Sequence, residues 1–460
     1  MIQRKNLILA IASVGIFVEA LDIAIVNLAI PSIQSEYGLT SDQVQWVQTL
    51  YVLLYGGFLI IGGKLTDLIG KKKIFMAGCL LFLLTSLGAG FSPSLEYLVF
   101  FRALQGIGAA LIMPSAFAIV TNTFTDSGER SRAIAVFSSF AAIGSGSGLA
   151  LGGIITTHLG WHWIFFLNVP VLLIVILLAW YLLKGDEPVK DTSKTDFLSG
   201  FLLVSVLLML SYGVHELGHI REKAWLISGL GIVVLFTSRA ILKRLRKKPL
   251  PLIDLSLFRS QATVTGFGVF ILLGAFFTGY MFVLSLLLQQ DMHFTAAQAG
   301  LYLVPFSLLS AAFAKFVLPV IIRKFTIWQT GIMGMSLMVM GAAFLMASVF
   351  FGHSLPLLLC SAACVSGLGM TICYTSLSII SIMGISVRHH GLASSLASTA
   401  YFLGGGIGLS LLTLFINHDV TGNSVSYAAI AVLCIYTLSG LGWLVKYVLR
   451  NRSQIISISA

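Results

Sequence analysis

Two carboxylates and one guanidinium lie in stretches of the sequence that are otherwise apolar. Glu19 and Asp22 are three residues apart in "FVEALDIAIVNLAIP", 17–31, and Arg102 interrupts a second apolar run at 96–122. A charged group in hydrocarbon costs at least about 2.5–3.5 kcal/mol, so it is normally paired, turned inward and functional. Two close carboxyls resist ionising together, whereas a nearby cation favours the ionised form. Such groups can exchange a proton, or they can form a static ion pair that fixes packing.

The depths of Asp22 and Arg102 match. At 1.5 Å per helical residue, Asp22 lies roughly 13 Å below Pro31, at the outer end of its span. Arg102 lies roughly 9 Å below Glu96, at the outer end of its own span. An Asp22–Arg102 pair is therefore geometrically reasonable, and proton exchange and static packing both remain open as its role.

The elements that position these groups are membrane-spanning helices. The chain of 460 residues is 57% hydrophobic and only 10% charged, whereas soluble chains are about 25% charged. Apolar runs long enough to cross about 30 Å of hydrocarbon recur along the whole sequence. We predict fourteen spans, at 7–30, 44–63, 74–92, 96–122, 133–157, 164–183, 197–213, 225–242, 262–289, 298–320, 328–350, 355–382, 391–416 and 426–448.

The distribution of Lys and Arg predicts the orientation of these spans. With the N-terminus inside, all but four of the 28 Lys and Arg residues fall on the inner side, the exceptions being Arg102, Arg221, Lys223 and Lys315. Such a bias marks cytoplasmic loops. The net charge of +11 then predicts contact with anionic lipid at the cytoplasmic face and no nucleic-acid partner. We expect a monomeric, multi-pass protein of the cytoplasmic (inner) membrane with both termini cytoplasmic.

Two weak internal repeats divide the chain into halves. "QGIGAALIMPSA" in span four resembles "SGLGMTICYTSL" in span twelve, and "GSGSGLALGG" in span five resembles "FLGGGIGLSLL" in span thirteen. Related halves around a central site are how many secondary transporters are built, although small-residue patterns occur in any membrane helix bundle. We predict an all-α fold with two six-helix bundles, 1–183 and 262–448, and an inserted hairpin, 197–242. Polar linkers at 184–196 and 243–261 and a tail at 449–460 complete the chain.

Four motifs give a specific resemblance to a family. They are "LDIAIVNLAIP" at 21–31, "GGKLTDLIGKKK" at 62–73, "RALQGIGAA" at 102–110 and "WHWIFFLNVP" at 161–170. Together they resemble the major facilitator superfamily, in particular its fourteen-span drug:proton antiporter branch. Two departures weaken the likeness to drug exporters: the fifth-helix motif G-P-x-x-G-G lacks its proline, and His162 replaces the usual arginine.

The resemblance implies roles for particular residues. Proton coupling is expected at Asp22, Arg102 and Gln105, with Glu19 added because it shares a helix face with Asp22. The loop motif implies an inner gate at Gly63, Asp67, Gly70 and Lys71. If the halves are related as the repeats suggest, Asp67 meets the start of span thirteen near Arg388 when the inner side closes. The antiporter-motif helix contributes Gly144, Gly148, Gly152 and Gly153.

The leading function is proton-coupled export of amphipathic small molecules by alternating access. Aromatic side chains can line an apolar cavity or face lipid, and Lys315 can bind an anionic substrate or reach the membrane surface. The candidate cavity residues are Asn27, Phe276, Tyr280, Phe306, Lys315, Tyr374 and Tyr401. Export or flipping of one endogenous lipid precursor, siderophore or metabolite is the first alternative, and a non-transporting sensor or scaffold is the second. No nucleophile–base or metal-ligand constellation is present, so we predict no enzyme, no cofactor and no metal.

Overall fold

The computed structural model describes residues 2–183, 185, 196–247, 253, 255–383, 385, 390–416 and 425–451. Over these residues the chain is helical and contains no strand. Fourteen helices are long and apolar enough to cross a membrane. The predicted all-α architecture with fourteen spans is therefore confirmed.

The spans begin and end within a few residues of the predicted positions at most ends. Spans one to eight are Ile2–Tyr37, Trp46–Ile69, Lys71–Gly90, Leu95–Thr123, Ser127–His158, Asn168–Leu182, Phe197–His215 and Ile220–Lys247. Spans nine to fourteen are Gln261–Leu286, Ala296–Phe316, Ile327–Phe350, Leu355–Ile382, His390–Thr413 and Tyr427–Arg450. Short helical segments lie at Ser41–Val44, His162–Phe166, Glu216–His219, Leu255–Arg259, Leu287–Asp291 and Leu318–Lys324. Most of the predicted linker 184–196, part of the linker 243–261 and nearly all of the tail lie outside the described residues.

Span one is the element that extends furthest beyond its prediction, which was 7–30. Its first turns are polar, and their side chains bind to the rest of the chain: Arg4 donates to the Leu182 carbonyl at 3.0 Å, and Lys5 pairs with Glu129 at 2.9 Å. The helix therefore continues past the apolar run into positions that hydropathy alone does not assign to it.

The contacts divide the chain into two compact units. The first comprises residues 1–213, 224–252 and 294–304. In its core, small residues let helix backbones approach closely. A Cβ on Gly62 would lie 2.1 Å from the Ala110 carbonyl oxygen, and one on Gly106 would lie 2.4 Å from that of Tyr51. Spans two and four can approach this closely only because glycine stands at both positions.

The hairpin of spans seven and eight is fastened at one end by Asp196. Its carboxyl accepts hydrogen bonds from Arg244 at 2.7 Å and from the Ser199 hydroxyl at 2.5 Å. Burial raises the pKa of Asp196, but these hydrogen bonds outweigh burial and hold the pKa below its ordinary value. The ionised carboxylate therefore stabilises the hairpin above the ordinary carboxyl pKa, and this contribution is lost as the pH falls through the lowered pKa.

The second unit comprises residues 214–223, 253–293 and 305–460. Spans nine and thirteen pack backbone to backbone in it. A Cβ on Gly274 or on Gly404 would lie 1.9 Å from the carbonyl oxygen of Tyr401 or Ile271, respectively. The helix that contains the repeat "FLGGGIGLSLL" thus uses glycine for close packing.

Span ten ends earlier than the prediction of 298–320. The helix stops at Phe316 and a new helix, Leu318–Lys324, begins with Pro319 in its first turn. Proline lacks the N–H that would continue the helix and disfavours helical geometry in the residue before it. The apolar run therefore continues through two helical segments.

Candidate functional site

Asp22 is the centre of a buried polar network in the first unit. Its side chain is 0% exposed, and both carboxylate oxygens accept hydrogen bonds. Oδ2 accepts from Arg102 Nη1 at 2.5 Å. Oδ1 accepts from Gln105 Nε2 at 3.1 Å and from Asn168 Nδ2 at 3.0 Å. The network joins spans one, four and six around the Asp22 carboxyl group.

Arg102 is buried as completely as its partner. Its Nη1 also donates to Gln105 Oε1 at 2.6 Å, and its Nε donates to the Val47 carbonyl at 3.2 Å. The guanidinium lies 4.1 Å from the centre of the Tyr51 ring, where the electron-rich face stabilises a cation. The charge of Arg102 is thus balanced by Asp22 and screened by the Tyr51 ring.

The local sequence explains why these groups meet. Arg102 and Gln105 are three residues apart, so they share one face of span four. Gly106, one residue further on, brings the same helix against the backbone of Tyr51. Span two therefore lies close enough for Arg102 to reach the Val47 carbonyl. The structure brings together the predicted residues Asp22, Arg102 and Gln105.

Glu19 is buried beside this network and has no cation next to it among the residues that the structure describes. Its side chain is 4% exposed and the Tyr55 hydroxyl donates a hydrogen bond to its carboxyl. Within the described part of the chain, neither its Oε2 nor the hydroxyl of nearby Tyr51 has a hydrogen-bond partner. Over the described residues, Glu19 forms no ion pair. Of the two acids of span one, Asp22 is the one that a described side chain neutralises.

Four participants were not assigned from the sequence. Ser86 accepts a hydrogen bond from Gln105 at 2.8 Å, Asn168 binds Asp22, and Tyr51 and Tyr55 line the acids. Asn168 belongs to the quoted motif "WHWIFFLNVP", so that motif was the available signal for it. Ser86 has no sequence signal, because a serine in an apolar helix commonly bonds within its own helix.

Asn27, assigned to the cavity, lies on the same span as the acids. It is 4% exposed, and its Nδ2 donates to the Ile23 carbonyl at 2.8 Å. Part of its hydrogen-bonding capacity is therefore used within its own helix.

The residues expected at the inner gate lie at the end of span two. Gly70 has a φ of 111° and ends the helix, a conformation that glycine adopts without strain. A Cβ on Gly63 would lie 3.9 Å from the Pro114 Cβ. Asp67 is exposed and Lys71 is half-buried. Arg388 lies outside the described residues.

The antiporter-motif glycines form a stripe along span five that packs on span one. Cβ atoms on Gly144, Gly148 and Gly152 would lie 2.4, 2.7 and 2.8 Å from the carbonyl oxygens of Phe17, Leu21 and Ile25, respectively. Gly153 faces the Ala296 carbonyl at the beginning of span ten, which belongs to the same unit. The stripe thus contacts the part of span one that bears both acids.

The predicted cavity aromatics belong to the second unit and differ in exposure. Phe276 and Tyr280 are fully buried, and the Tyr280 hydroxyl lies 3.0 Å from Ser361 Oγ. Tyr374 and Tyr401 pack edge to face at 5.8 Å, whereas Phe306 is half-buried.

Lys315 lies in the last turn of span ten and is exposed, with its Nζ 5.2 Å from the Phe316 ring. That position is the one expected for a lysine that reaches the membrane surface.

No group of three or more metal-ligating side chains occurs among the residues that the structure describes.

Comparisons with known proteins are consistent with this architecture. Residues 12–409 match the family model described as Major Facilitator Superfamily.

The chain is 30% identical to the lincomycin resistance protein of Streptomyces lincolnensis over 69% of this chain and 65% of that protein, slightly less than two thirds of its length. It is 30% identical to the multidrug export protein EmrB of Haemophilus influenzae over 87% and 78%. It is 29% identical to the multidrug resistance protein Stp of Mycobacterium tuberculosis over 89% and 76%. The solved structure of the POT family transporter PepTSo superposes with a TM-score of 0.73 at 15% identity, covering 98% of this chain and 99% of that one, which shows a shared fold.

Proposed function

Because the chain belongs to the major facilitator superfamily, we propose that it is a proton-coupled exporter of amphipathic small molecules. It is a membrane transporter and not an enzyme. Relatives named for lincomycin resistance and for multidrug export support the direction and the substrate class. The observation that carries the proposal is the pair of buried acids on span one, of which only Asp22 has an ion-pair partner within the part of the chain that the structure describes.

The two acids have different environments and therefore different roles. A buried ionised carboxylate needs a partner, because desolvation without one is costly. Asp22 has Arg102 at 2.5 Å. Glu19 has a hydrogen bond but no cation among the described residues, so in this proposal it holds a proton or receives a cationic group from outside the protein. A proton and a cationic substrate then compete for Glu19, and that competition is the chemical basis of antiport.

The Asp22 network transmits the state of Glu19 to the helices. Asp22 is one helical turn from Glu19 and binds residues on spans four and six. A charge change at Glu19 therefore alters the electrostatic energy of a network that several helices share. A ligand can shift a conformational equilibrium only through such a difference between states. In this scheme Asp22, Arg102 and Gln105 take part in coupling, while Glu19 exchanges.

The membrane and its orientation are part of the proposal. We place the chain in the inner membrane with both termini in the cytoplasm, because Lys and Arg concentrate on that side. Reporter fusions at each terminus test the orientation.

The experiment is transport in two formats. An efflux-deficient bacterial host expressing the chain is grown against a panel of cationic, zwitterionic, neutral and anionic amphipathic compounds. Inside-out vesicles from the same cells are acidified by respiration, and proton release on addition of each active compound is followed with a pH-sensitive dye. We expect resistance to several compounds and proton release by the same ones.

The outcomes separate the functions that the sequence leaves open. Protection against a single chemical class, with proton release by that class alone, would identify a specific metabolite exporter. Neither resistance nor proton release, from a chain shown to be in the membrane, would contradict export and favour a sensor or scaffold.

A further inference from the structure

A cavity of about 610 Å³ lies in the second unit, between the beginning of span nine and the end of span fourteen. The short helix Leu255–Arg259 contributes Phe258 to its wall. Among the described residues, none of those assigned to coupling, to the inner gate or to the substrate cavity lines it. The proposed transport function therefore does not account for this cavity.

Each of the two spans presents one continuous face to the cavity. Trp443, Lys446, Tyr447 and Arg450 follow each other at the i, i+3, i+4 and i+7 positions of span fourteen, which form one stripe of a helix. On the first turns of span nine, one stripe is likewise formed by the i, i+3 and i+4 positions Gln261, Val264 and Thr265.

The walls are fixed by packing. The Trp443 ring lies over Gly268, where a Cβ would be only 2.2 Å from the indole. Tyr447 stacks on Trp328 with ring centres 4.3 Å apart. The Asn451 side chain donates to the Tyr447 carbonyl at 3.0 Å. The aromatic and backbone parts of the cavity are thus held in place before any ligand binds.

The cavity is polarised along its length. Lys446 and Arg450 lie toward the end of span fourteen, and about 10 Å of helix separates Trp443 from Arg450. Both cations are exposed, and no carboxylate is among the described residues that line the cavity. The opposite end is formed by Val264, Gly442 and Trp443. An occupant must therefore combine a negative group with an apolar body.

We propose that this cavity is a binding site for one anionic phospholipid. Lys446 and Arg450 bind the phosphate, with Gln261 and Asn451 as polar neighbours, and the acyl chains leave along Val264 and Trp443 into the bilayer. Basic pockets between membrane helices bind lipid headgroups in this way, and Trp and Tyr are the residues that lie at headgroup level. A water-soluble phosphate would have no use for the apolar end, so a lipid is the occupant that uses both ends.

The site is independent of drug export. Its residues lie outside the Asp22 network, and binding can be measured on purified protein without any transport substrate. The lipid proposal and the transport proposal can therefore fail separately.

The test is lipid binding measured by native mass spectrometry on delipidated protein. The probes are dioleoyl phosphatidylglycerol, dioleoyl phosphatidylcholine and, as the soluble arm, glycerol 3-phosphate. We expect one phosphatidylglycerol to bind at least about tenfold more tightly than phosphatidylcholine, and glycerol 3-phosphate not to bind at the same concentrations. Lys446→Gln/Arg450→Gln should weaken phosphatidylglycerol binding about 25-fold, roughly fivefold for each cation.

Matched variants separate this site from general surface charge. Arg323→Gln/Lys324→Gln removes the same charge from two exposed positions outside the cavity and should leave binding within about twofold of wild type. Gly442→Leu keeps both cations but fills the apolar end, and no atom of the described residues lies within 4 Å of its new Cβ. It should also weaken phosphatidylglycerol binding, whereas Gly231→Leu, equally open on span eight, should not.

Several results would overturn the proposal. Equal losses in the two charge-removed pairs would assign the binding to general surface charge. Unchanged binding in Gly442→Leu would show that the apolar end is not used, and this variant remains informative if the double substitution fails to fold. Glycerol 3-phosphate binding as tightly as the lipid, and lost in Lys446→Gln/Arg450→Gln, would make this a site for a soluble phosphate compound.

Discussion

At the scale of single residues, the distinctive feature is that two acids one helical turn apart have different partners. Asp22 accepts three hydrogen bonds, one of them from Arg102. Glu19 has Tyr55 as a donor and one oxygen that has no partner among the described residues. Substitution should therefore affect the two positions in different ways. Loss of Glu19 should affect exchange, and loss of Asp22 should affect stability first.

Glu19→Gln should fold and lose proton coupling. Glutamine keeps the size of the side chain and can still accept a hydrogen bond from Tyr55, but it cannot take up or release a proton. We expect the proton release that cationic compounds cause in inside-out vesicles to fall at least about tenfold. Affinity for those compounds should fall similarly, since a hydrogen bond to a charged group contributes about 1.5–3 kcal/mol. Glu222→Gln, which removes an exposed carboxylate, is the control. Proton release at the wild-type rate in Glu19→Gln would assign exchange to another group.

Asp22→Asn should destabilise the protein more than it alters binding. It leaves Arg102 charged and 1% exposed, and breaking a buried pair from one side costs about 3–5 kcal/mol. Asp22→Asn/Arg102→Gln removes both charges and should recover much of that loss. The measurement is thermal unfolding of purified protein in detergent. Asp22→Asn as stable as wild type would show that Arg102 finds another partner. Proton coupling retained in Asp22→Asn/Arg102→Gln would exclude Asp22 as a proton carrier.

At the scale of helices, span five determines where span one can lie. The stripe of Gly144, Gly148 and Gly152 touches three carbonyl oxygens of span one. These contacts run through the segment that bears Glu19 and Asp22. The glycines of the fifth-helix motif therefore pack against the backbone of the segment that bears the acids, even though the usual proline of the motif is absent.

Gly152→Leu should separate spans one and five. Its Cβ would lie 2.8 Å from the Ile25 carbonyl oxygen, and overpacking typically costs about 1–3 kcal/mol. We expect transport to be lost, with a lower unfolding temperature. Gly229→Leu is the matched control, because a Cβ there has no atom of the described chain within 4 Å. Full activity of Gly152→Leu would show that spans one and five do not need to stay in contact during transport.

Much of the helical architecture was accessible from the sequence, for a physical reason. The length of an apolar run is set by the membrane, so span eleven, predicted at 328–350, forms Ile327–Phe350. Polar helix extensions such as the one at Arg4 and Lys5 are stabilised by side-chain contacts instead. A hydropathy pattern does not reveal such contacts. Depth along each helix predicted that Asp22 and Arg102 lie at one level in the membrane. Which other side chains complete the site depends on how each helix is rotated about its axis, and depth does not give that rotation. For that reason Ser86 and Asn168 were not assigned.

At the scale of the whole molecule, export requires states that open to opposite sides of the membrane. The residues proposed for the inner gate should influence the balance between those states without binding substrate. Asp67 suits that role because it is exposed at the end of span two. Arg388, its expected companion, lies outside the described residues, so the gate remains a proposal.

Asp67→Asn should slow turnover and increase the inward-facing population. A contact of a carboxylate with a helix N-terminus contributes about 0.3–1 kcal/mol when exposed and up to about 2 kcal/mol when partly buried, and a loss of about 1.4 kcal/mol changes a two-state ratio roughly tenfold. Distances between paired spin labels on the outer side would report the shift, with Glu222→Gln as the control. A distribution identical to wild type would leave Asp67 as an ordinary loop charge.

The Asp22 network also has a consequence for biosynthesis. Arg102 is 80 residues and Asn168 is 146 residues downstream of Asp22. At about 5–20 residues per second, a ribosome needs roughly 4–16 s to reach the arginine after making the acid. During that interval span one bears two carboxyls and has no cation from span four, so free release into lipid is unfavourable. The nascent helix therefore has to wait at the insertion machinery, or enter with its acids protonated, until span four arrives. The first unit is thus assembled late, around a residue that is among the first to be made.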